Sequence, residues 1–276
     1  MTALRIFSYL PNPRIMKATI AARLCGIDVE IRGDKPKNLV DWLWDFEAHK
    51  LSDNDQKRGD VIAKPSHTGF NKTLYKTENF LKAHPFGTVP AAFSPSGETG
   101  IFESNSILRA VARAGKEKCN LYGEDLYESS RIDSFLDVSL IFARQSQVYL
   151  LALSQNECNE VVHKETSNAL SNYLTGMNRA LSGSSDGLVN NKLSIADICF
   201  VCEICQISRE RAHIEKLNKL NLELIYNRKI LNSSFEHAMR HFDNLCDRQE
   251  FSLDIAPLMN KLSRIADPAY RAPLKD

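Results

Sequence analysis

The chain has 276 residues and a formal net charge of +1, so it is long enough for one large or two modest domains, and its charge argues against nucleic acid held by bulk electrostatics. Hydrophobic residues make up 43% and charged residues 25% of the sequence, an ordinary globular balance. It shows no apolar run of about 18 residues and no signal-peptide core, and its seven cysteines sit mostly in apolar helical patterns. We therefore expect a cytoplasmic protein with reduced thiols and no membrane partner.

The N-terminal residues predict a strand-helix-strand unit. Residues 4–10 have the composition of a short strand, which Pro11 and Pro13 end. Residues 14–24 show apolar side chains at helical spacing and stop at Gly26, a residue suited to ending a helix. Residues 28–32 alternate and predict a second strand, most simply parallel to the first.

Residues 36–76 fit no simple pattern. Trp42 and Trp44 open the segment with apolar character, whereas residues 52–72 are polar and have little periodicity. We expect an insertion that its two tryptophans order in part, with a mobile stretch behind them. Residues 77–83 then predict a short helix.

The most informative pattern is a tight turn that ends in Val89-Pro90 and leads into a strand hairpin, after which Glu103-Ser104 opens a helix to Ala114. A Val-Pro bond at a strand entry is one of the few places where a cis peptide costs little. With a cis bond there, we expect the backbone groups of Val89 to pair with a peptide-like ligand. The start of a helix carries unpaired N–H groups and a partial positive charge, so it binds carboxylates. Together these features predict a pocket for a small peptide with carboxylates.

Beyond Gly115 the pattern is entirely helical. The tail, residues 254–276, has three prolines and is expected to wrap the surface or hang free. We therefore expect an α/β domain over residues 1–115, a linker near 115–123 and an all-α domain over 123–276. The helical segments predicted in the second domain are 125–153, 157–181, 194–207, 215–231 and 234–246.

Three motifs in this order resemble the cytosolic glutathione transferase superfamily. They are the turn at residues 87–90, the pair Glu103-Ser104, and residues 193–197, where Ser194 and Asp197 form a capping box. The resemblance covers nearly the whole chain outside residues 36–76 and the tail. It implies an α/β thioredoxin-like N-terminal domain followed by an all-α helical bundle.

Within that superfamily, residues 8–22, 102–105 and 195–202 are particularly similar to the transferase-like domain of the elongation factor 1 gamma subunit. The insertion, and the missing extra C-terminal domain of that subunit, favour a stand-alone transferase. The alternative is a non-catalytic scaffold or assembly module. A third possibility is a glutathione-dependent lyase or reductase. Thiol–disulfide exchange through a protein cysteine is disfavoured, because no cysteine stands at the end of the first strand.

As a transferase, the chain would bind glutathione and conjugate it to a small hydrophobic electrophile. The glutathione thiol is mostly protonated at neutral pH, and a hydroxyl at the end of the first strand can stabilise its thiolate by donating a hydrogen bond. Tyr9 stands at that place, unless it is only a packed aromatic, and Ser8 is the next candidate. Asn12 and Arg14 begin the first helix and could lie beside the sulfur, although Arg14 could equally be a solvated helix-start charge.

The resemblance also implies binding residues. Ser104 would hold the γ-glutamyl carboxylate and Glu103 the ammonium group; the alternative is a helix cap without a ligand. The cysteinyl part would pair with the Val89 backbone at the turn. Three polar residues near the turn are open candidates for the glycyl end: Thr88, His84 and Lys82. The turn itself includes Pro90.

The electrophile would lie in an apolar cleft between the domains, near the helix 125–153. Phe142, Arg144 and Tyr149 are the residues expected in its wall. The resemblance further implies a homodimer.

Two other patterns suggest metals but have a simpler interpretation. Cys199, Cys202 and Cys205 form a CxxCxxC run, yet steps of three residues on a helix turn by about 300° each, so the sulfurs diverge. We expect core cysteines. His237 and His241 lack the glutamate pattern of a zinc protease and are expected on a solvated helix face. No metal is predicted.

Overall fold

The structure, a computed structural model, describes residues 2–66, 72–183 and 186–266. The chain divides into two compact units, Met1–Asn120 and Leu121–Asp276. The first mixes strands and helices and the second is helical. The predicted fold class, α/β followed by all-α, is confirmed.

The first unit is built on a four-stranded sheet with the order β2-β1-β7-β8. β1 and β2 are parallel, whereas β7 is antiparallel to both β1 and β8. Helices α1 and α4 pack against each other. The bounds are β1 Leu4–Tyr9, α1 Pro13–Cys25, β2 Val29–Asp34, β7 Ala91–Phe93, β8 Gly100–Phe102 and α4 Ser104–Ala114.

Local sequence explains where α1 begins and ends. The Asn12 side chain accepts a hydrogen bond from the Arg14 N–H, and Pro13 takes the first helical position, where its missing N–H costs nothing. Gly26 ends the helix with φ +59°, a left-handed conformation that glycine adopts freely. These caps fix α1 directly behind the end of β1.

Residues 36–77 contain a second four-stranded sheet, so the prediction of a mobile stretch behind the tryptophans is wrong for its described part, residues 52–66, which hold a short helix and a strand of this sheet. The strand order is β4-β3-β6-β5. Its strands are short, and the parallel pair β3 and β6 joins residues about 30 positions apart, which leaves no local periodicity to read. The part of the expected mobile stretch at residues 67–71 lies outside the described residues. The bounds are a 3₁₀ helix Pro36–Asp41, β3 Trp42–Trp44, β4 His49–Lys50, α2 Asp53–Gln56, β5 Val61–Pro65, β6 Thr73–Thr77 and α3 Glu78–Ala83.

The two tryptophans do order this segment, as expected. Phe7 of β1 meets Trp44 edge-on at 5.4 Å between ring centroids and Trp42 at 5.8 Å. Trp44 is buried, and its indole N–H donates to the Leu39 carbonyl at 3.0 Å. Because side chains alternate along a strand, the second sheet covers the face of β1 that carries Phe7. We call the apolar group around Phe7, Trp44 and Phe80 the aromatic cluster.

The second unit is a set of helices around α7, whose residues are all buried. Its N-terminus carries the predicted capping box, with Ser194 and Asp197 bonded reciprocally. The bounds are α5 Leu126–Gln155, α6 Glu160–Leu181, α7 Ile195–Ile207, a 3₁₀ helix Ser208–His213, α8 Ile214–Lys219, α9 Arg228–Ser234, α10 Glu236–Cys246 and α11 Gln249–Ala266.

Two predictions in this unit are wrong. The segment 215–231 is not one helix, because α8 ends at Lys219, Asn221 adopts φ +53°, and α9 starts only after Asn227. The tail is not loose up to Ala266, because α11 contains Pro257 and still buries one face through four apolar residues. These are Phe251, Ile255, Leu258 and Leu262. Residues 267–276 of the predicted tail lie outside the described residues.

The cysteine and histidine patterns turn out differently from each other. Cys199, Cys202 and Cys205 lie buried in α7, as expected of core residues. His241 is also buried, with its Nε2 atom 2.9 Å from Asp197 Oδ1, so the prediction that it lies on a solvated face is wrong. No helix in the described ranges is both long enough and apolar enough to cross a membrane.

Candidate functional site

The start of α4 has the most unusual backbone in the first unit. Glu103 is exposed and has φ +65°, a region that residues other than glycine rarely occupy and that costs about 1–3 kcal/mol. Ser104 begins the helix and is 6% exposed. The N–H groups of a first helical turn have no acceptor within the helix. The arrangement places a carboxylate beside a group of N–H donors, which suits a ligand with both an ammonium and a carboxylate.

A buried lysine supports this helix start. Lys17 of α1 is fully buried, and its ammonium donates to Ser104 Oγ at 3.3 Å and to Asn105 Oδ1 at 2.8 Å. Because the Ser104 oxygen accepts from Lys17, its own proton can be donated to another acceptor. Sequence reasoning missed Lys17; the available signal was a lysine on the otherwise apolar face of α1.

The turn before β7 lies next to the aromatic cluster. The Val89–Pro90 bond is cis, and the Val89 side chain packs on the cluster. Within the part of the chain that the structure describes, neither the N–H nor the C=O of Val89 is hydrogen-bonded. Thr88 is exposed beside it. The turn therefore presents backbone groups that a peptide could pair with.

A second lysine that sequence reasoning missed holds this turn. The Lys76 ammonium donates to the Gly87 carbonyl at 2.6 Å and lies 4.6 Å from the centre of the Trp44 ring. Burial lowers the pKa of Lys76. Among the described residues no carboxylate pairs with it, so it brings an uncompensated positive charge to the turn.

At the end of β1 the candidates separate onto two faces. Ser8 is fully buried and accepts from Asn12 Nδ2 at 3.1 Å, while Asn12 caps α1 through the Arg14 N–H. Tyr9 is half-buried and packs on the aromatic cluster, as Val89 does. The structure thus packs Tyr9 on the cluster that Val89 also contacts and commits the Ser8 hydroxyl to α1.

The residues considered for the glycyl end differ in exposure. His84 is 1% exposed and stacks between Phe80 and Phe102, at 5.8 and 5.0 Å between ring centroids. Burial lowers the pKa of His84, which keeps the ring neutral. Lys82 is exposed in the last turn of α3. His84 therefore serves the packing of the unit.

Of the three residues expected to contact the electrophile, only Arg144 is exposed. Phe142 is 2% exposed and stacks on Tyr173 at 4.8 Å. Tyr149 is fully buried and donates to Glu210 Oε2 at 2.8 Å. Both rings are thus committed to the core of the helical unit.

Glu210 is an unusual buried carboxylate in that core. Besides the Tyr149 hydroxyl, it accepts the Ile225 N–H at 3.2 Å and the Tyr226 N–H. Burial raises the pKa of Glu210 to about 7, and these hydrogen bonds oppose the rise. Glu210 fastens the loop between α8 and α9 to α5.

Comparison with solved structures decides the fold. Glutathione transferase F2 from Populus trichocarpa aligns with a TM-score of 0.62 at 18% identity, over 93% of this chain and 99% of that one. A glutathione S-transferase from Methylobacillus flagellatus with glutathione bound gives a TM-score of 0.58 at 14% identity, over 91% of this chain and 98% of that one. The chain has the glutathione transferase fold. The second sheet is therefore set within a thioredoxin-like unit.

Sequence comparison leads to elongation factor 1-gamma. Probable elongation factor 1-gamma 2 of Arabidopsis thaliana is 28% identical over 178 residues, 64% of this chain and 38% of the relative. Probable elongation factor 1-gamma 1 of the same plant is 23% identical over 252 residues, 91% of this chain and 48% of the relative. The chain thus spans less than half the length of these relatives. No protein-family model matches the chain. The predicted resemblance to transferases and to elongation factor 1-gamma is confirmed.

Proposed function

We propose that the chain binds glutathione and conjugates it to a small hydrophobic electrophile. The observation that carries the proposal is the start of α4, where Glu103 is held at φ +65° beside the buried, lysine-supported Ser104. Strained non-glycine residues persist where the surrounding structure requires them, and they cluster at ligand sites. Bound glutathione in a solved relative of the same fold adds support.

The ligand's polar groups match those of the site. The γ-glutamyl carboxylate would accept from the Ser104 hydroxyl and the first N–H groups of α4, and its ammonium would pair with Glu103. The cysteinyl part would lie along the Val89 backbone as an added strand. The glycyl carboxylate would pair with the Lys76 ammonium, which is bonded to the Gly87 carbonyl in the same turn as Val89.

Conjugation requires the thiolate of glutathione. Lowering its pKa by about two units requires roughly 2.7 kcal/mol of preferential stabilisation. One hydrogen bond to a charged acceptor supplies about 1.5–3 kcal/mol. We assign that donor to the Tyr9 hydroxyl, because Tyr9 lies on the cluster side with Val89 whereas Ser8 is buried against Asn12.

Calorimetry of the full chain with glutathione tests the binding step. The Ser104→Ala variant lacks the hydroxyl and therefore one hydrogen bond to the ligand's carboxylate. The dissociation constant for glutathione should rise about tenfold to hundredfold. Ser134→Ala is the matched control, since Ser134 is exposed on α5 and bonds only its own helix. Absence of any heat with the unaltered chain, or equal binding by both variants, would refute the site.

The second candidate function is a non-catalytic scaffold. It is favoured by one observation, that the curated relatives over most of the chain are elongation factor 1-gamma proteins. A scaffold should co-purify with translation factors and show no turnover of a chromogenic electrophile. The transferase should be retained on immobilised glutathione and should turn that electrophile over.

We also propose a cytoplasmic homodimer. All seven cysteines are free thiols, which supports a reducing compartment. Helix α5 exposes a row of apolar side chains that a second copy could cover: Val138, Ile141 and Val148 are 51%, 73% and 45% exposed.

A further inference from the structure

Two cysteines meet where α1 and α4 end. Cys25 is the last residue of α1 and is 1% exposed. Its sulfur lies 3.7 Å from the Cys119 carbonyl oxygen, and Cys119 is near enough to contribute to the raised pKa of Cys25. Both residues belong to the same compact unit, although 94 positions separate them in sequence. The fold has therefore paired two thiols that the sequence keeps far apart.

The surrounding contacts hold this pair together. A Cβ at Gly115 would lie 2.3 Å from the Cβ of Cys25, so glycine is required for the two helix ends to approach. The Lys118 ammonium donates to the Gly26 carbonyl at 2.8 Å. The Cys119 N–H donates to the Gly115 carbonyl at 3.0 Å. These bonds fasten the turn after α4 onto the end of α1.

The two thiols differ in access. Cys119 is half-buried in a turn outside any helix, whereas Cys25 is buried at the end of α1. A small oxidant can reach Cys119 first, and the flexible backbone of a turn can adjust to the geometry that a disulfide needs. A second pair of neighbouring thiols is Cys205 and Cys246, since Cys246 contributes to the raised pKa of Cys205. Both of its members lie within helices, which restricts such adjustment.

We propose that Cys25 and Cys119 form a reversible disulfide with glutathione disulfide as the oxidant. The Cys119 thiolate attacks one sulfur of glutathione disulfide, forms a mixed disulfide and releases one glutathione thiolate. The Cys25 thiolate then attacks the Cys119 sulfur and releases the second glutathione thiolate. The two protons lost by the cysteines convert the two released thiolates to glutathione, so the reaction balances as two protein thiols plus one disulfide giving one protein disulfide plus two glutathione molecules.

The environment of Cys25 shapes the rate and the stability of this bond. Burial, and after it the neighbouring Cys119, raises the pKa of Cys25 to about 11. The second step is therefore slow at neutral pH, because few Cys25 thiolates are present. The same environment does not stabilise the reduced thiolate, which favours the disulfide at equilibrium.

Peptide mapping tests the proposal on the full chain. The chain is incubated with millimolar glutathione disulfide, alkylated, digested with trypsin without reductant and analysed by mass spectrometry. Residues 24–32 and 119–131 form tryptic peptides with one cysteine each. We expect these two peptides to be joined, about 2 Da lighter than their sum, and to separate after reduction.

Variants make the result decisive. Cys25→Ser should leave Cys119 as a stable mixed disulfide with glutathione, Cys119→Ser should abolish the link, and Cys158→Ser, the matched control, should preserve it. Complete alkylation of both Cys25 and Cys119 in the unaltered chain after treatment with glutathione disulfide would overturn the proposal. So would a mixed disulfide at Cys119 that never resolves, or a link that joins residues 193–209 to 241–248 instead.

Discussion

Tyr9 and Ser8 are neighbours in sequence, yet the strand places their side chains on opposite faces of the sheet. Ser8 is buried and bonded to Asn12, which makes it part of the cap of α1. Tyr9 lies on the aromatic cluster with Val89. The alternation of side chains along β1 thus separates the two residues and packs Tyr9 on the cluster that Val89 also contacts.

Replacing Tyr9→Phe should therefore lower kcat/KM for conjugation about tenfold to a thousandfold, because one donor to the developing thiolate is lost. Glutathione affinity should change less than about threefold, since the carboxylate contacts remain. The measurements are turnover of a chromogenic electrophile and calorimetry. Tyr75→Phe, a half-buried tyrosine of β6, serves as control. Equal turnover by the two variants would remove Tyr9 from the mechanism.

Glu210 gives the helical unit a stability that depends on pH. Its pKa is about 7 in the fold against 4.5 for the ordinary side chain, so the folded state holds a proton that the unfolded state has lost. Stability from this group is complete below pH 4.5 and is lost as pH rises through 7. The loss amounts to about 3 kcal/mol.

Glu210→Gln keeps a neutral side chain at all pH values. The difference in unfolding free energy between the unaltered chain and this variant, measured in urea, should shift against the unaltered chain between pH 4.5 and 7. Glu223→Gln is the control, because Glu223 lies in the same loop but is exposed. A difference that stays constant with pH would contradict the assignment.

At this scale the sequence reveals part of the site and conceals the rest. Glu103, Ser104 and Val89 stand out in the sequence as candidate site residues because each belongs to a short contiguous pattern. The partners of Lys17 and Lys76 could not be predicted, because Ser104 and Gly87 lie 87 and 11 positions away. Contacts of this kind depend on the finished packing of α1 and of the second sheet.

Among the elements, the start of α7 depends on the buried carboxylate of Asp197. Asp197 is fully buried and accepts from the Ser194 N–H and hydroxyl, the Leu188 N–H and His241, at distances from 2.8 to 2.9 Å. It joins the cap of α7 to the loop before it and to α10. One side chain therefore secures three segments.

Asp197→Ala should lower the unfolding free energy by about 3–5 kcal/mol, because it leaves buried donors and His241 without a partner. Denaturation in urea measures the change. Asp247→Ala is the control, since Asp247 is exposed just beyond α10. A loss below about 1 kcal/mol would show that water or another acceptor replaces the carboxylate.

The elements themselves were predictable to different degrees. The long helices α5 and α6 and the buried α7 follow from apolar periodicity and caps within the chain. The second sheet was not predictable, because its strands contain as few as two residues and pair across distant segments. The break after α8 also escaped prediction, because residues 220–227 contain neither proline nor glycine.

For the whole molecule, the order of the motifs was enough to predict the architecture. A turn, a helix start and a capping box each carry little information alone, but their sequence along the chain matches one fold. The order of the motifs does not reveal the surface that two copies would share, because the exposed apolar residues of α5 follow the same pattern as those of any amphipathic helix.

Ile141→Asp tests the proposed homodimer. Placing a charge in the middle of the exposed row on α5 should weaken association by several kcal/mol, so the mass in solution should fall to that of one chain. Light scattering after size-exclusion chromatography gives the mass. Ile230→Asp, at an apolar residue of α9 that is 50% exposed, should leave it unchanged. A monomeric unaltered chain would refute the dimer.

The second sheet has a consequence for how the protein avoids aggregation. Its order leaves β5 at one edge, and an open edge is a template on which strands of other molecules can add. That strand ends in Lys64 and Pro65, both exposed. A charge and a residue without an N–H are two features that block such addition. Lys64 and Pro65 therefore oppose fibrillar growth at this edge.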